Sequence, residues 1–145
     1  MDGRNITTIP ELLKIISEDI KNNGILIDLI ETVDSYNGND YIEYVKYDDN
    51  SYHRNCIYID NNIEVYIISW KSNQETKIHD HPKKGCLLRI LENELEENLY
   101  NKHLQNFNTN ILTEANTSYI EGDMILHKIK NNTNKNSVSL HIYSP

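Results

Sequence analysis

Two cysteines, three prolines, five glycines, one tryptophan and one phenylalanine are all that this 145-residue chain contains of those residue types. Two cysteines are too few for a disulfide framework, so a reducing compartment is expected, and the cytoplasm is the default location. Scarce proline and glycine beside a hydrophobic share of 38% exclude a collagenous or low-complexity chain. Long apolar runs are missing as well. Stretches such as Ile25-Leu26-Ile27 are far too short to span a bilayer, and the opening MDGRNITT has no apolar secretory segment. Basic charge is also in short supply: 14 Lys and Arg against 22 Asp and Glu leave a net charge of -8, and Lys83-Lys84 is the one compact basic pair. Nucleic acid and anionic membrane draw their affinity from clustered cations, so neither is an expected partner.

The length suits one domain closing one core, expected as a helical scaffold over 1–47 followed by a β-barrel over 52–145. Thr8-Ile9-Pro10-Glu11 is a capping box with proline near the first helical position. Leu12, Leu13, Ile15, Ile16 and Ile20 then make one apolar stripe, and Asn22-Asn23-Gly24 suits a C-cap. A second, shorter helix is expected over Ile25–Val33 and a helical turn over Tyr41–Val45. From Tyr52 the pattern changes to short β-rich runs divided by Asn and Asp turns. The expected strands are Tyr52–Ile59, Glu64–Trp70, Thr76–His79, Cys86–Leu91, Leu95–Tyr100, Asn110–Glu114, Thr117–Tyr119, Ile125–Ile129 and Val138–Tyr143. Asp60-Asn61-Asn62 and Glu121-Gly122-Asp123 read as tight turns, and Asn131–Asn136 as a polar loop. Many short strands at this spacing predict a mainly β sandwich or barrel.

Chemistry concentrates in KIHDHPKKGC, which places His79 and His81 two residues apart in a chain holding six histidines. On extended backbone, residues i and i+2 face the same way, so both imidazoles enter one space while Asp80 and Pro82 turn outward. Two adjacent ligands of one metal ion have that geometry. His127, in MILHKIKNN, is the third ligand, brought by a later strand. His141, in SVSLHIYSP, shares a face of the last strand with Ser139 and Tyr143. Cys56 reads as an ordinary structural thiol, and His53 and His103 as solvated or loop residues.

His79-x-His81, a residue five positions on, and a later His127-x-x-x-Asn131 resemble the two-part metal motif of the cupins. Cys86 stands where most cupins place a glutamate ligand. Asn73 and Asn93 replace flanking glycines, which asparagine can do at positive φ. With YHRNCIYID, a tryptophan nine residues before the first ligand, SYIEGDMILHKIKN and SVSLHIYSP, the chain resembles the cysteine dioxygenase family. The fold that this implies is a cupin-type jelly-roll β-barrel preceded by an N-terminal helical segment.

The resemblance implies an Fe(II) enzyme, with His79, His81 and His127 as ligands, that joins L-cysteine and O2 to give cysteine sulfinic acid. No external reductant is required, because the thiol provides all four electrons. It implies that Arg54 binds the substrate carboxylate through its planar guanidinium, with Tyr52 on the same strand face holding either group. Thiol dioxygenases acting on mercaptopropionate carry Gln at that position, so Arg54 favours cysteine. Tyr143 is the implied catalytic hydroxyl, oriented by His141 and Ser139, and Cys86 and Tyr143 are the implied partners of a thioether crosslink. Two other readings stand beside this one: a dioxygenase for mercaptopropionate, cysteamine or an N-terminal cysteine, and a non-catalytic metal-binding cupin. The sequence ends at Ser144-Pro145, a candidate cis bond, where better-known eukaryotic members of the family continue. The corresponding expectations are a more open pocket, a sheet edge covered by a dimer partner, or reduced activity; monomer and homodimer both remain open.

Overall fold

A computed structural model describes residues 5–114 and 117–144. Helix α1, Ile9–Asn23, begins where the sequence signals it: Thr8 Oγ1 accepts the Glu11 amide at 3.2 Å, and Gly24, at φ 70°, closes the last turn by donating to Ile20 O. Beyond it the chain departs from the expected single helix over Ile25–Val33. Leu26–Leu29 forms a 3-10 turn, followed by the short helix α2, Ile30–Asp34. The buried positions explain the change, because Leu26 and Leu29 lie three apart, the repeat of a 3-10 turn, whereas Leu29 and Val33 lie four apart. A second 3-10 turn spans Asp40–Tyr44.

Among the described residues, eight strands follow: β1 His53–Ile59, β2 Glu64–Trp70, β3 Cys86–Glu92, β4 Leu95–Tyr100, β5 Asn106–Leu112, β6 Thr117–Ile120, β7 Leu126–Lys130 and β8 Ser137–Tyr143. They form a five-stranded sheet in the order β1-β2-β8-β3-β6 and a three-stranded sheet in the order β5-β4-β7. Asp60 makes the β1–β2 turn, its Oδ1 accepting the amides of Asn62 and Ile63. Asn73 and Asn93 take φ of 69° and 64°, the left-handed conformation expected where asparagine replaces glycine.

Two expected strands are different. Thr76–His79 belongs to neither sheet; it meets β7 at isolated bridges, Glu75 with Lys130 and His79 with His127. The ladder is interrupted because the Ile129 amide bonds the Thr76 hydroxyl, and because the His81 amide turns to Gly122 O instead of β7. The strand expected over Asn110–Glu114 runs earlier, as β5. Its Asn-rich sequence carries no alternation, and its register comes from pairing with β4. The Ser144-Pro145 bond lies outside the described residues.

Each central strand has two different faces. Val65, Ile67, Leu87, Val138, Leu140 and Ile142 pack in one buried cluster with Ile9, Leu12, Ile16 and Ile20 of α1 and with Leu26, Leu29 and Val33. A smaller cluster, Ile68, Trp70, Leu88, Ile90, Leu95 and Ile129, fills the space between the sheets. The helical segment therefore seals one face of the five-stranded sheet, leaving the other face to line the interior. Among the described residues, no helix is long and apolar enough to cross a membrane.

Candidate metal centre and adjoining cavity

His79 and His127 are main-chain partners, each amide donating to the other's carbonyl at 3.0 and 2.9 Å. His81 follows on the segment that peels away to the Gly122 turn, where Gly122, at φ 76°, takes a conformation open to glycine. The three rings converge: one nitrogen from each of His79, His81 and His127 lies within 4.8 Å of the others. Asp80 between them is exposed, and His103 is exposed in a turn.

The outer nitrogen of each ring has an acceptor. His79 Nδ1 lies 2.7 Å from Lys77 O, His81 Nδ1 3.3 Å from Gly122 O, and His127 Nδ1 2.9 Å from Glu97 Oε2. Carbonyl and carboxylate oxygens accept, so each Nδ1 carries a ring proton and each Nε2 is turned inward. His79 Nε2 and His127 Nε2 then face each other at 3.0 Å. His81 Nε2 is fully buried and has no hydrogen-bond partner among the described residues. Ring nitrogens gathered this closely are suited to holding a metal ion. Burial pushes the His81 pKa down to about 4 and lowers that of His79 as well, which keeps both rings in the neutral form that binds metal. Three imidazoles suit a divalent transition metal and add no negative charge to it.

A cavity of about 490 Å³ opens beside the histidines, lined by Tyr52, Arg54, Trp70, Cys86, His141 and Tyr143 among others. Its polar wall is a hydrogen-bonded chain along the inner face of β8. Trp70 Nε1 lies 2.9 Å from Ser139 Oγ, Ser139 Oγ lies 2.8 Å from His141 Nε2, and His141 Nδ1 lies 3.3 Å from the Tyr143 hydroxyl. The indole N–H can only donate, so it sets the direction of the chain. Ser139 accepts from Trp70 and passes its own proton to His141 Nε2, its one available acceptor among the described residues. Burial drives the His141 pKa down to about 3, so the ring is neutral and its single proton sits on Nδ1, directed at Tyr143. With the His141 Nδ1 proton directed at its oxygen, Tyr143 is free to turn its own O–H into the cavity. Burial raises the Tyr143 pKa and, at the head of its causes, that of Cys86 to about 12, so both hold their protons.

Cys86 and Tyr143 are directly opposite each other in the β3–β8 ladder. Gly85 before them, at φ 101°, cannot carry a side chain: a Cβ there would come within 2.6 Å of the Tyr119 hydroxyl. Arg54 is exposed at the cavity mouth, its guanidinium 4.2 Å above the Tyr66 ring and 5.9 Å from that of Tyr143. Tyr52 lines the same cavity with its ring stacked on Trp70 at 4.8 Å. Cys56 is an exposed free thiol on β1, outside the cavity.

Two participants are not singled out by the sequence reading. Tyr66 sits under Arg54 and edge-on to Tyr143 at 5.7 Å. Glu97 is 4% exposed and bonded to His127. Strand alternation carries the signal for Glu97, because Leu95, Glu97 and Leu99 share the inward face of β4 and an acid among leucines calls for a partner.

Residues 3–145 match the protein family described as "Cysteine dioxygenase type I". The chain is 28% identical over 150 residues to cysteine dioxygenase type 1 of Danio rerio, covering 95% of this chain and 75% of the relative. It is 28% identical over 149 residues to that of Rattus norvegicus, covering 95% and 74%. Among solved structures, a Thermus thermophilus protein superposes with a TM-score of 0.63 at 13% identity, covering 74% of this chain and 95% of the other. A cupin domain from Bordetella pertussis gives 0.53 at 14% identity, covering 66% and 94%. Those likenesses establish the mainly β, cupin-type fold.

Proposed function

Because the chain belongs to the cysteine dioxygenase type I family, a family of dioxygenases, we propose that it is a cytoplasmic, single-domain Fe(II) enzyme converting L-cysteine and O2 to cysteine sulfinic acid. The observation that carries this reading is the convergence of three histidine ring nitrogens beside a cavity walled by an arginine and a directed tyrosine. His79, His81 and His127 hold the metal. When bound, Fe(II) supplies a centre at which a thiolate and dioxygen meet and exchange electrons. Sulfur gives up four electrons and takes both oxygen atoms, so the balance closes without a reductant.

Arg54 captures the substrate carboxylate, with Tyr66 holding the guanidinium from below and Tyr52 closing the wall over Trp70. This places the cysteine thiol toward the histidines. Tyr143 donates its O–H to the reacting groups, and Trp70, Ser139 and His141 keep that proton pointed the right way. Cys86 and Tyr143 form a thioether when the thiol hydrogen and one ring hydrogen pass to dioxygen and Sγ bonds to the ring carbon. Their cross-strand pairing supports it. Cys86→Ala then removes any doublet on a denaturing gel and lowers activity without removing iron.

Sulfinate formation from a panel of thiols, identified by mass spectrometry, tests the substrate. Preference for L-cysteine over cysteamine, abolished in Arg54→Gln, is the expected result. Equal turnover of both thiols by the unaltered protein would remove the carboxylate role of Arg54.

A further inference from the structure

The three histidines are not equivalent. His79 and His81 donate to backbone carbonyls, which are dipoles, whereas His127 donates to a carboxylate that carries a full charge. Glu97 and His127 each have side chains only 5% exposed. Burying a carboxylate costs several kcal/mol unless it is paired. Among the described residues, no lysine or arginine pairs with Glu97; its second oxygen has only a long contact of 3.5 Å with Asn110 Nδ2. The sheet fixes the arrangement. Leu99 is directly opposite His127 in the β4–β7 ladder, and Glu97, two residues along on the same face, reaches His127 diagonally.

We propose that Glu97 is a positioning residue for the metal centre, holding His127 in the Nδ1–H tautomer and delivering through that ring the negative charge absent from the three ligands. The inference rests on the reading of the three histidines as a metal site. A carboxylate drawing on the Nδ1 proton makes Nε2 a stronger donor than a carbonyl does, so His127 binds the metal more strongly than His79 or His81. The cupin carboxylate is then displaced by one shell, to a position from which it tunes the metal without occupying a coordination site needed by substrate.

Co(II) is a suitable probe because its visible absorption reports ligand strength and needs no turnover. Metal-free unaltered protein and Glu97→Gln, which keeps shape and an acceptor oxygen but loses charge, are titrated with Co(II) against a competing chelator. The expected result is an affinity lower by about 10–100-fold in the variant, a shifted absorption band, and a similar unfolding midpoint without metal. Equal affinity and identical bands would overturn the role of Glu97. Should Glu97→Gln fail to fold, the unaltered protein decides: with ring ¹⁵N-labelled histidine and Zn(II), the His127 Nδ1 proton should resonate furthest downfield of the three. Three similar ring N–H signals would overturn the inference. Unaltered protein that takes up neither metal would instead overturn the metal-site reading on which it rests.

Discussion

Along β8 the even-numbered side chains Val138, Leu140 and Ile142 turn to the helices, while Ser139, His141 and Tyr143 turn to the cavity. The same division runs through β3, where Leu87 packs with the helical segment and Cys86 faces inward, and through β2, where Val65 and Ile67 oppose Ile68 and Trp70. One face of the sheet is a continuous apolar contact that stabilises the fold. The other face buries polar groups that gain little from burial and are kept because each has a partner. Among the described residues, the helical segment contributes nothing to the cavity lining. By supplying stability on its own face, it allows the opposite face to carry serine, histidine and tyrosine.

The largest expected effect lies on the chemical face. His81→Ala removes the buried ring proposed as a ligand, whose Nε2 has no hydrogen-bond partner among the described residues, so metal uptake and activity should fall to background while the circular dichroism spectrum is retained. Metal analysis of the purified variant checks this, and full loading with activity intact would break the division. On the stabilising face, Leu140→Ala deletes a side chain 1% exposed and should cost about 2–5 kcal/mol in urea unfolding. Activity per folded molecule should be nearly unchanged.

Ser139→Ala sharpens the contrast within one strand. It breaks the chain from Trp70 to His141, freeing the His141 proton to leave Nδ1, and should lower kcat by about tenfold, the worth of one hydrogen bond. A stability loss as large as that of Leu140→Ala, with kcat unchanged, would show that the face is packing rather than relay.

The pH dependence of the metal-free protein tests the same face without a substitution. Burial holds His141 at about 3 and His81 at about 4, both below their value of about 6.5 in the unfolded chain. Below pH 6.5 the unfolded chain binds protons that the folded chain refuses, so stability is lost as pH falls. Urea midpoints should decrease steadily from about pH 7 to 5. A flat profile over that range would mean that these rings are not buried as neutral groups.

The chemical face was legible in the sequence wherever period-two alternation reached it. Ser139, His141 and Tyr143 stand at alternate positions of one strand, and β2, β4 and β8 follow their apolar runs closely. Alternation failed where backbone bonds were replaced by side chains, as at Thr76, and where asparagines dominate, as in β5. The helical region was harder to read because Ile25–Val33 is apolar enough for either helix type, and only the buried spacing distinguishes them. Tyr66 and Glu97 were not evident because their partners are distant in sequence. Arg54 reaches Tyr66 across β1–β2, and His127 reaches Glu97 across β4–β7.

Oxygen consumption by protein of measured iron content tests the central claim most directly. With Fe(II) bound at one per chain, addition of L-cysteine should consume one O2 for each cysteine sulfinic acid formed, and His81→Ala should consume none. Fully iron-loaded protein that takes up no oxygen with L-cysteine or any other small thiol would contradict the account, leaving a metal-binding cupin without turnover.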